Sequence, residues 1–363
     1  MSILIFFIIL LVLIIVHEFG HFFSAKRFGV RVDEFGFGFP PKLFKIKKGE
    51  TEYSFNALPF GGFVKIFGES PDEESLTGPD AGRSLLNKPK WKQAVVLFAG
   101  VFANFLLAWF LFSVSFMSGL PMSAGSGIKS ESLQDLHLSV VEVLKNSPAE
   151  TAGLKAGDRV ISVKSASEAL TEISPETLKS FVNSHPNDEI EIGYVREKSQ
   201  IQFIKTKPTL IEGTPMLGIA MDMVGIAKLP IFKAFREGMR LTLFATAGIA
   251  KGLYTLISEA IMGKGSFASV TGPVGLVSIV GTAYKFGFAY LLSFTALISI
   301  NLAVLNLLPF PALDGGRLFF LLIEKVKGSR INPKFANAAN MIGFALLIIL
   351  MLAVTYHDIV KLF

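Results

Sequence analysis

The chain has no cysteine. Disulfides are therefore excluded, as is every thiolate metal site. Any bound transition metal must take its donors from His, Asp or Glu. Charge is also sparse: Asp, Glu, Lys and Arg make up 18 % of the 363 residues, against about a quarter in an ordinary soluble domain. Histidine occurs only five times, so a histidine-based site has few candidates. What is abundant is hydrocarbon. The chain is 51 % hydrophobic, with 35 Phe and a mean hydropathy of +0.53. That excludes a soluble globular protein of this length and implies several membrane spans. The net charge of +6 then reads as basic residues collected in cytoplasmic loops, and no nucleic-acid partner is expected.

Of His17, His21, His137, His185 and His357, only the first two have metal-ligand spacing. His17-Glu18-Phe19-Gly20-His21 is an H-E-x-x-H sequence that follows the unbroken apolar run Ile3 to Val16. On a helix, positions i and i+4 share one face, so both imidazoles can reach one Zn²⁺. Glu18 is then placed to hold a water and take its proton. Two His and a Glu inside an apolar span are costly unless a metal or partner compensates them. The helix is apolar enough to lie in a bilayer, which puts the chemistry inside the membrane.

The first helix is expected over about 3–25, retained because no basic n-region and no A-x-A-like cleavage site accompany it. A basic loop rich in Gly and aromatics follows, over 26–90. Alternation in Glu52-Tyr53-Ser54-Phe55 and in Gly62-Phe63-Val64-Lys65-Ile66 predicts the strands of a hairpin. A second span is expected at about 94–120. From Ser123 the composition turns polar, as expected of a soluble α/β domain over 123–225. Residues 226–265 are interrupted by Lys233, Arg236, Arg240, Lys251 and Glu259 and read as amphipathic helix lying on the outer membrane face. Spans at about 286–308 and 338–356 complete the C-terminal membrane part, 266–363. The Lys and Arg residues of the first loop, and those from Arg317 to Lys334, are then cytoplasmic. The count is four spans, and the polar domain lies outside.

Zinc needs a third protein donor. Asn306-Leu307-Leu308-Pro309-Phe310-Pro311-Ala312-Leu313-Asp314-Gly315-Gly316 offers Asp314, the best-placed carboxylate, after a span broken by two prolines. Broken helices are tolerated in membranes where they line a cavity. The alternative for Asp314 is a helix N-cap. Asn306 suits either interhelical hydrogen bonding or binding of substrate backbone and an oxyanion. Thr271-Gly272-Pro273-Val274-Gly275 reads as a turn entering the membrane.

HEFGH in the first span, NLLPFPALDGG in a later one and Ser147-Pro148-Ala149-Glu150-Thr151-Ala152-Gly153-Leu154-Lys155-Ala156-Gly157-Asp158 between them together resemble the site-2 protease family, and within it the bacterial regulator-of-sigma-E type with a single PDZ domain. The resemblance implies that His17, His21 and Asp314 bind zinc, that Glu18 activates water and that Asn306 handles substrate. The family's G-P-x-x-N pattern reads Gly100-Val101-Phe102-Ala103-Asn104 here, which marks Asn104 as a site-lining residue despite Val101. It also implies that the first loop is a membrane-associated β-hairpin, where substrate unwinds and adds as a strand beside Gly61 and Gly62. The PDZ-like domain would capture a peptide C-terminus or filter by size, with the carboxylate-binding loop expected near Leu138 to Val141.

The fold class expected is thus a polytopic α-helical membrane protein with about four transmembrane helices, a membrane-associated β-hairpin and an inserted extracytoplasmic PDZ-like α/β domain. The function implied is an intramembrane zinc metalloendopeptidase of a bacterial inner membrane. It would cleave single-span membrane proteins of the anti-sigma-factor or signal-peptide type within the lipid bilayer. A non-catalytic scaffold or chaperone is the alternative, and retention of Glu18 speaks against it. A metal-dependent transporter is disfavoured because the intramembrane charges cluster at one site and form no path.

Overall fold

The computed structural model describes residues 1–69, 73–126, 133–196, 200–211, 213–263 and 271–361. In chain order, helix α1 (Ser2–Arg27) leads into strands β1 (Val32–Lys48) and β2 (Thr51–Ile66), the short α2 (Glu73–Thr77) and the long α3 (Lys90–Ser118). Next come β3 (Leu120–Ser123), β4 (Leu133–Val143), α4 (Pro148–Thr151), β5 (Arg159–Lys164), α5 (Pro175–Ser184), β6 (Ile190–Val195), β7 (Gln202–Thr206), β8 (Thr209–Ile211), β9 (Thr214–Met216) and β10 (Ile219–Ala227). Five helices close the chain: α6 (Ile231–Ile261), α7 (Pro273–Lys285), α8 (Phe288–Asn306), α9 (Asp314–Lys327) and α10 (Pro333–Val360). The chain divides into two compact units, 1–114 with 232–363, and 115–231.

In the first unit, α1, α3, α6, α8 and α10 are long and apolar enough to cross a bilayer. The sequence count is four, and the additional candidate is α6. Residues expected as surface helices form one continuous helix of 31 residues, while 264 and 265 lie outside the described residues. Ala234, Gly238 and Thr242 repeat every fourth residue and are its buried face. Gly238 admits Ser113 of α3 so closely that a Cβ there would stand 2.4 Å from its Oγ. Trp109 Nε1 donates to Phe235 O at 2.8 Å. Leu241, Ala245 and Ile249 pack on Ala108, Phe112, Ala296 and Ile300. Of the charged residues of α6 that dilute its hydropathy, Lys233, Arg236, Arg240, Lys251 and Glu259 are exposed and Glu237 is partly buried.

The expected span at 286–308 is preceded by a separate helix, α7, with Gly287 at φ 102° between it and α8. The TGPVG stretch opens α7, with Pro273 in its first turn. Asp358 of α10 accepts from the backbone N–H groups of Gly272 (3.1 Å) and Gly275 (2.8 Å). A carboxylate thus satisfies donors that a helix start leaves unpaired and complements its dipole.

The hairpin is longer and more folded than the alternation implies. Residues 34–37 pair with 62–65 on one side and with 52–55 on the other, while 42–48 pair with 51–56. The two segments expected to pair with each other both belong to β2 and flank β1 from opposite sides. Lys26 at the end of α1 pairs with Glu50 at 2.6 Å, and this contact holds the Glu50 carboxyl below its ordinary range.

The second unit is a six-stranded sheet of order β3-β10-β4-β5-β6-β7, every pairing antiparallel. Its core gathers Leu138, Val140, Val160, Leu178, Phe181, Ile190 and Ile192. Ser147 caps α4 by accepting from Glu150 N. Asp158, fully buried, accepts from Arg196 Nε at 2.7 Å, from Arg196 Nη2 at 2.8 Å and from the Lys155 N–H at 2.8 Å. The SPAETAGLKAGD stretch is therefore a capped turn closed on a buried ion pair.

Candidate metal centre

Nothing polar interrupts the first fourteen apolar residues of α1, so the helix is apolar all round. Its orientation is set by a packed seam: Ile9, Leu13, His17 and His21 are buried at four-residue spacing, with Ser24 and Ala25 beyond. The two histidines continue a hydrophobic stripe and keep only 9 % and 7 % of their surface exposed. Imidazoles do not occupy such a seam without partners.

The partner carboxylate comes from α9. Pro309 and Pro311 cannot continue α8, and Ala312 adopts a left-handed φ of 76°. Hydrogen bonds from Phe310 N to Leu308 O (2.7 Å) and from Leu313 N to Phe310 O (3.2 Å) close the turn. A Cβ on Gly315 would stand 2.2 Å from Leu308 O, so α9 can start this close to α8 only with glycine there. Asn340 of α10 accepts from Ala312 N at 3.1 Å and anchors the loop. Asp314 is the first residue of α9, and the residue before it, Leu313, is the cap and makes no side-chain cap bond. The N-cap alternative therefore fails, and the carboxylate points elsewhere.

It points at the histidines. Asp314 Oδ2 lies 3.0 Å from His17 Nε2 and 3.2 Å from His21 Nε2, and the two Nε2 atoms are 3.2 Å apart. Donors about 2.0–2.2 Å from a tetrahedral metal stand roughly 3.3–3.6 Å from one another, so this triangle is nearly that of a bound ion. The proton count agrees. His21 Nδ1 lies 2.8 Å from the Val96 carbonyl. A carbonyl only accepts, so Nδ1 carries a hydrogen, and in the neutral imidazole Nε2 presents a lone pair. Asp314 Oδ2 is buried and accepts no hydrogen bond among the described residues. A lone pair facing a carboxylate oxygen with no proton between them is repulsive until a cation occupies the centre. Two imidazoles, one carboxylate and one open position are a donor set that suits zinc.

Glu18 is partly buried beside this triangle and faces β2. The Val64 backbone hydrogen-bonds its carboxylate. At Gly62 a Cβ would stand 3.2 Å from Ile14 Cγ2 and 3.6 Å from Glu18 Cγ. The 62–65 edge of the hairpin thus runs along the helix that carries Glu18. Gly61, at φ 103°, shapes the bend before it. Asn306 ends α8, eight residues before Asp314, and is half-buried. Asn104 lies in the interior of α3, fully buried.

Three features escape a reading of the sequence. Gly100, where the family pattern is only half kept, packs against His21: a Cβ there would fall 2.3 Å from Nε2. Asn340 carries no motif at all. Arg317 counts in the sequence only toward topology, yet it forms an ion pair with Glu69, just after β2. That pair ties α9, which carries Asp314, to the end of the strand that borders Glu18. Exposed pairs are worth up to about 1 kcal/mol. Glu69→Gln is therefore expected to raise KM roughly fivefold with zinc content unchanged, and the swap Glu69→Arg with Arg317→Glu to recover part of it. Unchanged kinetics in Glu69→Gln would remove the pair from any role at the site.

Compared with known proteins, the chain matches the family model of peptidase family M50 over residues 5–350. It is 35 % identical over 349 residues to a Clostridium perfringens protein provisionally named a zinc metalloprotease, covering 96 % of this chain and 95 % of that one. It is 28 % identical over 437 aligned positions to zinc metalloprotease RasP of Shouchella clausii, covering 100 % and 99 %. With RasP of Geobacillus kaustophilus the identity is 29 %, covering 100 % and 98 %.

Proposed function

The chain belongs to peptidase family M50, and from that premise we propose that it is a zinc metalloendopeptidase which cuts single-span membrane proteins within the bilayer. The observation that carries this reading is the triangle of His17, His21 and Asp314, with both histidines on α1, a helix apolar enough to cross a membrane, and Asp314 at the start of α9. When bound there, zinc supplies a Lewis acid that polarises the scissile carbonyl and acidifies water. Glu18 takes a proton from the attacking water and returns it to the departing amine. The Val64 N–H holds that carboxylate in line, and Gly62 leaves room beside it.

A transmembrane substrate hides its carbonyls in i to i−4 hydrogen bonds and must unwind before attack. The 62–65 edge of the hairpin is suited to receive the unwound segment as an added strand, next to Glu18. Asn306, at the mouth of the turn that presents Asp314, is suited to hold the substrate backbone. Anti-sigma factors and remnant signal peptides, trimmed first by another protease, are the substrates that the family resemblance favours. A bacterial inner membrane, with the second unit outside the cytoplasm, is the matching location.

The second unit supports a PDZ-like reading through a groove away from the stretch expected from sequence. A cavity of about 290 Å³ opens between α5 and the start of β10, lined by Leu178, Val182 and the backbone run Leu217-Gly218-Ile219. Leu138 and Val140 of the expected stretch are instead core residues. Apolar walls beside an exposed strand suit the last residues of an extended peptide. A peptide with an apolar, free C-terminus is expected to bind the full chain at least about tenfold more tightly than its C-terminal amide, a difference of about 1.4 kcal/mol. Equal affinities would leave the unit as a size filter.

The test of the main reading is reconstitution of the purified chain in lipid vesicles with a tagged single-span protein. Zinc-dependent cleavage inside the hydrophobic segment is expected, mapped by mass spectrometry. Cuts confined to loops outside the bilayer would overturn it.

A further inference from the structure

The two histidines of the triangle are not equally supported. His21 has its Nδ1 hydrogen bonded to Val96 O, which fixes both tautomer and ring orientation. His17 also directs Nε2 toward Asp314, and with Nε2 ligating a metal its hydrogen sits on Nδ1. That Nδ1 is buried and has no hydrogen-bond partner among the described residues. On α3, Asn104 is fully buried, and among the described residues neither its amide oxygen nor its amide nitrogen has a partner. Buried polar atoms are seldom left this way, and here the orphans include one donor and one acceptor.

The helix contacts bring them to the same level. His21 meets Val96 and Gly100, and Gly20 meets Ala99 and Ala103. Ile9 and Leu13 share a cluster with Leu107. Helices α1 and α3 therefore run antiparallel, and one turn back along α1 corresponds to one turn forward along α3. His17 is one turn back from His21. The α3 level serving it lies one turn beyond Val96 O, between residues 100 and 104. Helical side chains lean toward the N-terminus, so the Asn104 amide covers that interval. Gly100 keeps the face open, and Ser299 of α8 donates to the Asn104 carbonyl at 2.8 Å, which fixes the helix at that turn.

We propose that on metal binding the side-chain oxygen of Asn104 comes to accept the Nδ1 hydrogen of His17, a bond not yet formed among the described residues, and so positions that imidazole for the metal. Asn104 is then a positioning residue with no contact to substrate. The inference rests on the metal-site reading of the triangle, since only a ligating Nε2 requires the hydrogen on Nδ1.

The experiment measures zinc affinity of the full-length protein in detergent by competition with a chelator, alongside the melting temperature of the metal-free form. Asn104→Leu, which fills the space without an acceptor, is expected to weaken zinc binding by roughly 10- to 100-fold, the usual effect of losing an outer-shell partner. Asn104→Asp retains the acceptor and is expected to stay within a few-fold of the unaltered protein, even if Asn104→Leu does not fold. Ser299→Ala, which removes the donor to the backbone carbonyl of residue 104 and leaves its amide in place, is expected to weaken zinc binding less than Asn104→Leu does. Wild-type zinc affinity in Asn104→Leu with a raised KM would overturn the proposal and make Asn104 a substrate contact. An Asp variant that binds zinc as weakly as the Leu variant would also overturn it. Failure of the metal reading is recognised separately: the unaltered protein and His17→Ala would then bind zinc equally poorly.

Discussion

Glu18→Gln is expected to bind zinc like the unaltered protein and to cleave roughly 10²- to 10⁴-fold more slowly, the range over which a positioned general base contributes. The substitution keeps shape and removes only the charge and basicity. The amide still fits the space bounded by Gly62 and Ile14, and the three donors of the triangle are untouched. What is lost is the acceptor for the proton of the attacking water, and with it the donor that protonates the departing amine. The effect should fall on kcat and leave KM nearly unchanged, because Glu18 acts on the reacting atoms and does not hold the substrate strand. Two measurements on one preparation decide it: zinc content by metal analysis, and cleavage of a tagged single-span protein. Equal cleavage with zinc retained would sink the assignment of Glu18 as base and reopen the scaffold reading.

This prediction was available from five residues, because H-E-x-x-H depends on local geometry alone. Helix spacing delivers the two imidazoles to one face wherever the helix lies. The pairing of α1 with α9 was legible for a different reason: a cysteine-free chain with five histidines leaves few donors, and Asp314 follows a span that its prolines must break. Elements set by packing were not legible in the same way. The hairpin's first strand contains FGFGFPP, which has no clean alternation, so only the two halves of β2 showed as strands. Their real partner, 34–37, lies between them. For α6, outward-facing charges diluted the hydropathy, while the residues that seat it on α3 are small: Ala234, Gly238 and Thr242. Small residues at a helix interface carry almost no hydropathy signal but permit the closest approach. Gly100 is the same case inside the site, where a missing side chain makes room for His21. Asn340 and Glu69 act on residues far away in sequence through single polar contacts, and a lone polar residue in a loop or helix announces nothing of its partner.

Asp314→Asn carries the other large effect. Its expected result is loss of stoichiometric zinc and, with it, of essentially all cleavage. Affinity should fall by more than the ~100-fold that marks the upper end for outer-shell partners, because an anionic donor is replaced by a neutral one. The contrast with Glu18→Gln is the informative part. Both exchange a carboxylate for its amide on the same side of the site, yet one protein should keep its metal and the other should not. Folding is expected to survive in both. Asp314 caps nothing, and the turn that precedes it is held by Leu308, Phe310 and Asn340 without help from its side chain. In the metal-free state the variant should melt at or above the temperature of the unaltered protein, since removing the carboxylate relieves its unshielded contact with the lone pair of His21. Added zinc should then raise the melting temperature of the unaltered protein and of Glu18→Gln, and leave Asp314→Asn where it was. If Asp314→Asn takes up one zinc per chain and shows the same thermal shift, the third ligand lies elsewhere, and the close approach of α9 to α1 has another purpose.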